Sequence, residues 1–232
     1  MLKSRPGKST GRWTKVLLFL LCLVPFSHLV AVVLAYILQA DLNNALWHFW
    51  VPTLPPNPLD FFTHLTGDWT LRLIVVTLSI TPLRKLLGFP DLIRFRRMIG
   101  LFAFFYGSLH FLTYLWFDKL FDFHAIWKDV GKRPFITAGF TAFMCMVPLA
   151  LTSTKGWIRR LGGKRWQRLH RLIYGTAVAG VVHYYWLVKS DIRLPVLYGS
   201  LVAVLLLYRI AVSLMKRVRQ RTAAAKPAPV ET

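Results

Sequence analysis

The apolar residues of the chain fall in long runs, not in the short alternating patterns of a soluble protein's core. A helix needs about 20 apolar residues to cross about 30 Å of hydrocarbon. Six stretches come near this length, namely residues 16–38, 69–87, 98–117, 134–151, 169–188 and 195–214. Backbone groups in lipid must be hydrogen-bonded within the protein, so we predict an all-α, six-helix membrane bundle.

Two of the six predicted spans are weaker than the rest, because Pro82 and Pro148 interrupt them. The first stretch is too long for a signal peptide and lacks a convincing small-residue cleavage site, so we expect it to remain as a span. We predict one helical membrane domain over residues 15–215. A basic tail at 1–14 and a basic, partly disordered tail at 216–232 would flank it.

Lys and Arg residues are concentrated on one side of this predicted bundle. The chain has 30 of them. Five are in the N-terminal tail, five in the connection 84–97, seven in the connection 155–171 and six in the tail from Arg209 onward. Cytoplasmic loops are enriched in Lys and Arg, so both termini are predicted to be cytoplasmic. We interpret the basic segments as topology signals that contact membrane lipid, and we expect no nucleic acid partner.

Histidines inside apolar spans mark candidate functional sites, since ionisable groups are costly there. His110 lies thirteen residues after Arg97, and His183 lies thirteen residues after His170. Thirteen helical residues rise about 20 Å, which predicts His110 and His183 at one level toward the outer face. Two neutral imidazoles at one depth on separate helices are the axial pair that a b-type haem needs. Two packed, hydrogen-bonded core histidines are the alternative interpretation.

Small residues near these two histidines would make room for a macrocycle. Gly107 and Ser108 precede His110, and Gly175 and Gly180 precede His183. His28, by contrast, has no partner at its depth on another helix, so we interpret it as a packed histidine.

His170 is predicted at the inner level, where the third span offers Arg97 and its neighbour Arg96 instead of a second histidine. One histidine beside paired arginines and the basic GKRWQR loop, which contains Lys164 and Arg165, suits a phosphate or another anion. The alternative is that His170 only lies among the lipid headgroups.

Several segments resemble those of a known family. They are RRMIGLFAFFYGSLH (96–110), TSTKGWIRRLGGKRWQRLHRLIYGTAVAGVVHYYWLVK (152–189), HLTGDWTLR and SITPLRKLLGFPDLIRFRR. Together they resemble the MsrQ/YedZ family, within the ferric-reductase-like transmembrane superfamily. The likeness extends from about residue 25 to residue 209, and the combination of segments makes it specific.

The resemblance implies a multi-pass protein of the bacterial inner membrane that binds haem b and FMN. It implies that the protein takes electrons from the quinone pool or a cytosolic flavin reductase. It also implies that the protein delivers them to a periplasmic molybdopterin-containing methionine sulfoxide reductase subunit, with which it forms a heterodimer. That subunit repairs oxidised envelope proteins. The family's three functional histidines fall on His110, His170 and His183. Larger relatives hold two haems, and Arg97 at the inner position fits a single haem.

The resulting hypothesis has two sites. His110 and His183 hold the haem iron, with His170 as an alternative ligand. An inner site for FMN or quinol uses His170, Arg96 and Arg97, with Lys164 or Arg165 beside them.

Two residues near the predicted outer face, Arg72 and His64, each have two possible interpretations. Arg72 suits a haem propionate partner or a snorkelling arginine. His64 suits a contact to haem or partner, or an ordinary surface position.

Two other classes of protein are compatible with the sequence. A quinol-oxidising cytochrome b anchor of a different periplasmic oxidoreductase would use the same histidines without flavin. A cofactor-free transporter would use intramembrane polar residues and broken helices. The predicted spans have hardly any carboxylates to carry protons or cations, which disfavours the transporter.

Overall fold

The computed structural model describes residues 10–38, 51 and 53–224, and the regular elements within them are all helical. The α-helices are α1 (Thr10–Ile37), α2 (Pro58–Leu86), α3 (Arg96–Thr113), α4 (Phe123–Lys132), α5 (Pro134–Leu151), α6 (Lys155–Leu161), α7 (Gly163–Leu169), α8 (Leu172–Leu187) and α9 (Arg193–Ala224). A 3-10 turn at Pro90–Arg94 precedes α3, and a π-helical turn at Tyr114–Asp118 follows it. The prediction of an all-α protein is confirmed for this part of the chain.

Each of the six predicted apolar stretches falls on a helix. In the described part of the chain, four segments are long and apolar enough to cross a membrane, namely Arg12–Ile37, Pro90–Asp118, Pro134–Leu151 and Arg193–Thr222. Helix α2 carries several charges, and α8 has only 16 residues. Six spans and cytoplasmic termini therefore stay predictions. Much of the two predicted tails, residues 1–9 and 225–232, lies outside the described residues.

Two helix pairs form the centre of the fold. Helix α2 packs along α3, α5 packs along α8, α9 lies against α8 and α2, and α1 contacts α2 and α3. The buried core includes Leu78, Ala103, Met146 and Ala177, which come from all four central helices. Many large apolar side chains of α1 and α9 face outward instead, as expected for helices whose surroundings are lipid.

Tyr106 of α3 bridges an opened turn of α1. Pro25 lies inside α1, where a proline disturbs the helical hydrogen bonds. The Tyr106 hydroxyl donates to the carbonyl of Cys22 at 2.7 Å and accepts from the amide of Phe26 at 3.1 Å. These two backbone groups are four residues apart and would pair directly in a regular helix. The buried hydroxyl therefore joins α3 to α1.

Arg209 of α9 performs a similar role for α2. Pro82 has no N–H, so it leaves the carbonyl of Leu78 without its helical donor. Arg209 donates from Nη2 to that carbonyl at 2.8 Å, and from Nη1 to the Tyr174 hydroxyl of α8 at 3.0 Å. Helix α2 continues past Pro82, and one side chain links α2, α8 and α9. In the sequence, Arg209 is only one of the clustered basic residues that indicate topology.

Replacing Tyr106 by Phe removes the bridging hydroxyl and leaves the Cys22 carbonyl and the Phe26 amide against an apolar ring. We expect the free energy of unfolding to fall by about 1–3 kcal/mol, the cost of unsatisfied buried polar groups. Titration of the purified protein in micelles with SDS measures this change. Tyr185→Phe is the control, since Tyr185 is 47% exposed, and it should change stability by less than about 0.5 kcal/mol. Equal losses in the two variants would contradict the bridging role.

Candidate functional site

The side chains of His110 and His183 lie next to each other in the centre of the fold. His110 is in the last turn of α3, and His183 is in α8. Their ring centres are 6.0 Å apart, and the ring planes are inclined by 78°. The two helices thus bring together the two imidazoles that the sequence spacing predicts at one depth.

Each imidazole is fixed by a hydrogen bond to a backbone carbonyl of another helix. His110 Nδ1 donates to the carbonyl of Thr63 in α2 at 2.9 Å, and His183 Nδ1 donates to the carbonyl of Phe135 in α5 at 2.6 Å. A carbonyl oxygen only accepts, so we assign the proton to Nδ1 in both rings. Both Nε2 atoms then carry a free lone pair, which is the state of a metal-binding imidazole.

A glycine one helical turn after each carbonyl makes these bonds possible. A Cβ at Gly67, four residues after Thr63, would lie 3.1 Å from the His110 ring. A Cβ at Gly139, four residues after Phe135, would lie 2.7 Å from Nδ1 of His183. In a helix the Cβ of residue i+4 points back over the carbonyl of residue i. Glycine therefore clears the same approach on both helices.

The sequence indicates small residues beside the two histidines on their own helices. Gly107 and Gly180, which precede the histidines in sequence, do line the cavity described below. Gly175 has no atom within 4 Å of a Cβ built on it. The glycines that contact the imidazoles lie on α2 and α5. Their one signal in the sequence is that a glycine inside an apolar helix costs about 0.5–1 kcal/mol relative to alanine and so needs a reason.

A cavity of about 420 Å³ surrounds the two imidazoles, and α2, α3, α5 and α8 form its walls. This volume is within the range of small-molecule and cofactor sites. Away from the ends of the walls the lining is mostly apolar, with Ile74, Phe143 and Met146 among it, although Asp68 of α2 also lines the cavity. At the end where α2 and α5 begin, the lining is charged. We call this end the charged rim, and it consists of Asp60, His64, Asp118 and Arg133.

The geometry of the pair fits a bis-imidazole metal centre. A bond of about 2 Å from each nitrogen to the metal, plus about 1 Å from nitrogen to ring centre, separates the ring centres by about 6 Å. His110 and His183 have this separation, and an apolar cavity adjoins them. The donor set and its surroundings therefore suit an iron porphyrin.

His170 lies away from this pair, in the turn just before α8. Its Nε2 donates to the Thr152 hydroxyl at 3.0 Å, since that hydroxyl itself donates to the Pro148 carbonyl. The His170 ring stacks on Trp166 at 3.9 Å between centres, and Trp166 Nε1 donates to the carbonyl of Thr152. Helix α8 begins only at Leu172, so continuous helix from His170 to His183, which the depth argument used, is absent.

The predicted inner cations separate into two groups. Arg96 is half-buried, and it lies near enough to His170 and Arg209 for their charges to interact. Arg97 is exposed, and so are Lys164 and Arg165 on α7. The fold thus brings Arg96, more than Arg97, toward His170.

The two outer candidates also differ in position. Arg72 contacts Asp68 at 3.6 Å, donates from Nε to the Tyr198 hydroxyl at 3.2 Å, and does not line the cavity. His64 does line the cavity, and its Nε2 lies 3.4 Å from a carboxylate oxygen of Asp60.

Replacing Gly139 by Ala forces the His183 ring away from its carbonyl partner. We expect a loss of about 1–3 kcal/mol in the free energy of unfolding, because the new methyl overpacks a filled space. The same SDS titration measures it. Gly175→Ala is the matched control, since that position is open, and we expect it to be neutral or stabilising by up to about 1 kcal/mol. Similar losses in both variants would mean that the effect comes from the helices and not from the histidine.

Comparisons with known proteins show the family of the chain. Residues 66–181 match the family model described as the ferric reductase like transmembrane component. The chain is 49% identical over 226 residues to the protein-methionine-sulfoxide reductase heme-binding subunit MsrQ of Herminiimonas arsenicoxydans, covering 97% of this chain and 96% of the relative. It is 43% identical to the MsrQ subunit of Caulobacter vibrioides, covering 90% and 91% of the two chains.

A third relative extends the comparison. The MsrQ subunit of Azospira oryzae is 54% identical over 162 residues, covering 69% of this chain and 70% of the relative. No solved structure matches the chain. The family match spans α3, α5 and most of α2 and α8, the helices that form the cavity. The chain therefore belongs to the MsrQ family of ferric-reductase-like transmembrane proteins, which are multi-pass proteins of the bacterial membrane.

Proposed function

We propose that this protein is a membrane cytochrome b that passes electrons to a periplasmic molybdopterin-containing methionine sulfoxide reductase, for repair of oxidised periplasmic proteins. The electrons come from quinol or a cytosolic flavin reductase and travel through FMN and haem b. One observation carries the proposal, namely the imidazoles of His110 and His183, whose ring centres are 6.0 Å apart and whose Nδ1 atoms are each bonded to a backbone carbonyl. The relatives named as heme-binding subunits of a protein-methionine-sulfoxide reductase support it.

In this proposal His110 and His183 hold the haem iron, and haem there supplies a one-electron carrier. The hydrogen bonds to the Thr63 and Phe135 carbonyls keep each ring in one orientation and one tautomer. They also make each Nε2 a stronger donor to a metal. The apolar walls exclude water from the iron, and that exclusion, with the ligand hydrogen bonds, tunes its potential.

The proposed topology places this site toward the periplasm. With both termini cytoplasmic and six spans in the 15–215 domain, α2 and α5 begin at the outer face. The charged rim is at that end of the cavity. Electrons at the haem would therefore be close to the surface where the periplasmic subunit docks.

An inner site would take an anion, which we propose to be the FMN phosphate. Among the described residues no carboxylate pairs with Arg96, although Arg209 lies near it. Two guanidinium groups close together in a half-buried position are stabilised by a bound anion. His170, fixed by Thr152 and Trp166, lies beside Arg96, and the exposed Arg97, Lys164 and Arg165 add positive charge around the site.

A visible spectrum of the purified protein tests the haem ligands. We expect reduced-minus-oxidised bands of low-spin b-type haem in the wild type, and their loss in His110→Ala and in His183→Ala, because low-spin iron needs both axial nitrogens. His28→Ala is the control, since that ring contacts Phe61 and does not line the cavity. A normal low-spin spectrum in His110→Ala would show that the ligand assignment is wrong.

Flavin content tests the inner site separately. We expect Arg96→Gln to weaken FMN binding about tenfold or more, the value of a hydrogen bond to a charged group, with a smaller effect for the exposed Arg97→Gln. FMN extracted per protein, measured by fluorescence, gives the result, and the haem spectrum of the same samples should be unchanged. Parallel loss of haem and FMN would count against two separate sites. Unchanged FMN in both variants would count against an anion site at these arginines.

A further inference from the structure

The charged rim contains one arginine beside two carboxylates. Of the described residues that line the cavity, Asp60, Asp68 and Asp118 are carboxylates, and Arg133 alone carries a permanent positive charge. Neither of the two proposed sites uses Arg133.

Arg133 is held in place but is not neutralised. It is the N-cap residue of α5, directly before Pro134 and two residues before the Phe135 carbonyl that fixes His183. Its Nε lies 3.7 Å from a carboxylate oxygen of Asp129, which is a long contact for an ion pair. Within the described part of the chain, its two terminal nitrogens have no hydrogen-bond or ion-pair partner. The planar fork that binds carboxylates bidentately is therefore free.

Asp129 is already paired with another cation. Lys119 Nζ lies 2.5 Å from one of its oxygens, and the Tyr114 hydroxyl donates to the same oxygen at 3.4 Å. The hydrogen bond from Lys119 lowers the pKa of Asp129, so the carboxylate stays ionised near neutral pH. The side chains of Lys119 and Asp129 are only 16% and 15% exposed, whereas that of Arg133 is 55% exposed. Asp129 thus orients Arg133 from one side and leaves the other side open.

A haem held by His110 and His183 brings two carboxylates into this cavity. The apolar walls near Ile74 and Met146 would leave those charges unpaired, so they belong at the charged rim. At the rim, however, Asp60 and Asp118 would repel them. A cation must offset this repulsion, and Arg133 is the cation that lines the cavity.

We propose that Arg133 is a binding residue for the haem carboxylates, oriented by Asp129. This inference rests on the proposed haem site. It assigns to Arg133 the role that the sequence suggested for Arg72, whose guanidinium is engaged with Asp68 and Tyr198 instead. The two carboxylates would stabilise ferric iron, which lowers the haem potential. The positive charge of Arg133 would offset this effect, so Arg133 also raises the potential.

Variants of the full-length haem protein test this assignment. Arg133→Gln removes the charge, Arg133→Lys keeps it without the fork, and Lys132→Gln is the matched control. Lys132 is also at the end of α4, but it is exposed and does not line the cavity. Redox titration of the haem spectrum gives the midpoint potential. Transfer of haem to excess apomyoglobin gives its dissociation rate.

We expect Arg133→Gln to lower the potential and to release haem about tenfold faster, as the loss of a charge-assisted hydrogen bond predicts. Arg133→Lys should lie between this variant and the wild type, and Lys132→Gln should match the wild type. Reconstitution with the dimethyl ester of haem, which has no free carboxylates, should remove the difference between wild type and Arg133→Gln.

The outcomes separate this inference from the haem site itself. A wild-type potential and release rate in Arg133→Gln, with the low-spin spectrum intact, would overturn the role of Arg133 alone. A difference that persists with the ester would also overturn it, because the arginine would then act without the carboxylates. If Arg133→Gln does not fold, the role of Arg133 is tested by comparing Arg133→Lys with the wild type, and haem with its dimethyl ester in the wild type. A wild-type protein without low-spin haem would instead overturn the proposed function.

Discussion

The site depends on one local interaction that occurs twice, a hydrogen bond from an imidazole Nδ1 to a helix carbonyl that has a glycine one turn later. On α2 the residues are Thr63 and Gly67, and on α5 they are Phe135 and Gly139. Each glycine costs its helix about 0.5–1 kcal/mol relative to alanine. In return, the imidazole lies against the backbone of the neighbouring helix and cannot rotate. The stability of two helices is reduced so that two rings keep one position.

The arrangement of the helix pairs follows from this interaction. His110 and its carbonyl lie on α3 and α2, and His183 and its carbonyl lie on α8 and α5, so each closely packed pair carries one complete imidazole unit. The cavity lies between the two pairs. A shift of one pair against the other would change the separation of the rings without breaking either hydrogen bond. The contacts between pairs are therefore what fixes the geometry of the centre.

Those features that depend on a single segment of the chain could be predicted from the sequence. The lengths of the apolar runs predict the helices, and the rise per residue predicts that His110 and His183 share a depth, because both arguments use only positions along one helix. Gly67, Gly139 and Arg133 could not be found in this way. Their roles depend on which helices are neighbours, and no local pattern contains that information.

Two interpretations from the sequence used only the depth of a residue along the membrane. Counting back from His183 to His170 assumes one continuous helix, whereas α8 begins at Leu172 and His170 belongs to a turn fixed by Thr152 and Trp166. Arg72 has a suitable depth for a propionate partner, but its side chain contacts Asp68 and Tyr198. Positions along the chain contain neither the break before Leu172 nor the direction in which the Arg72 side chain points.

The hydrogen bonds of Arg209 would affect how fast the proposed haem site exchanges electrons. One guanidinium fixes the spacing between α2, which carries the Thr63 carbonyl, and α8, which carries His183. His110 and His183 would then hold a haem on helices that move little, and the haem would supply one-electron chemistry there. Little rearrangement of the protein would accompany such a transfer, so its activation barrier would be small. An arginine of α9, bonded where Pro82 leaves a carbonyl without its helical donor, would in this way favour rapid redox cycling.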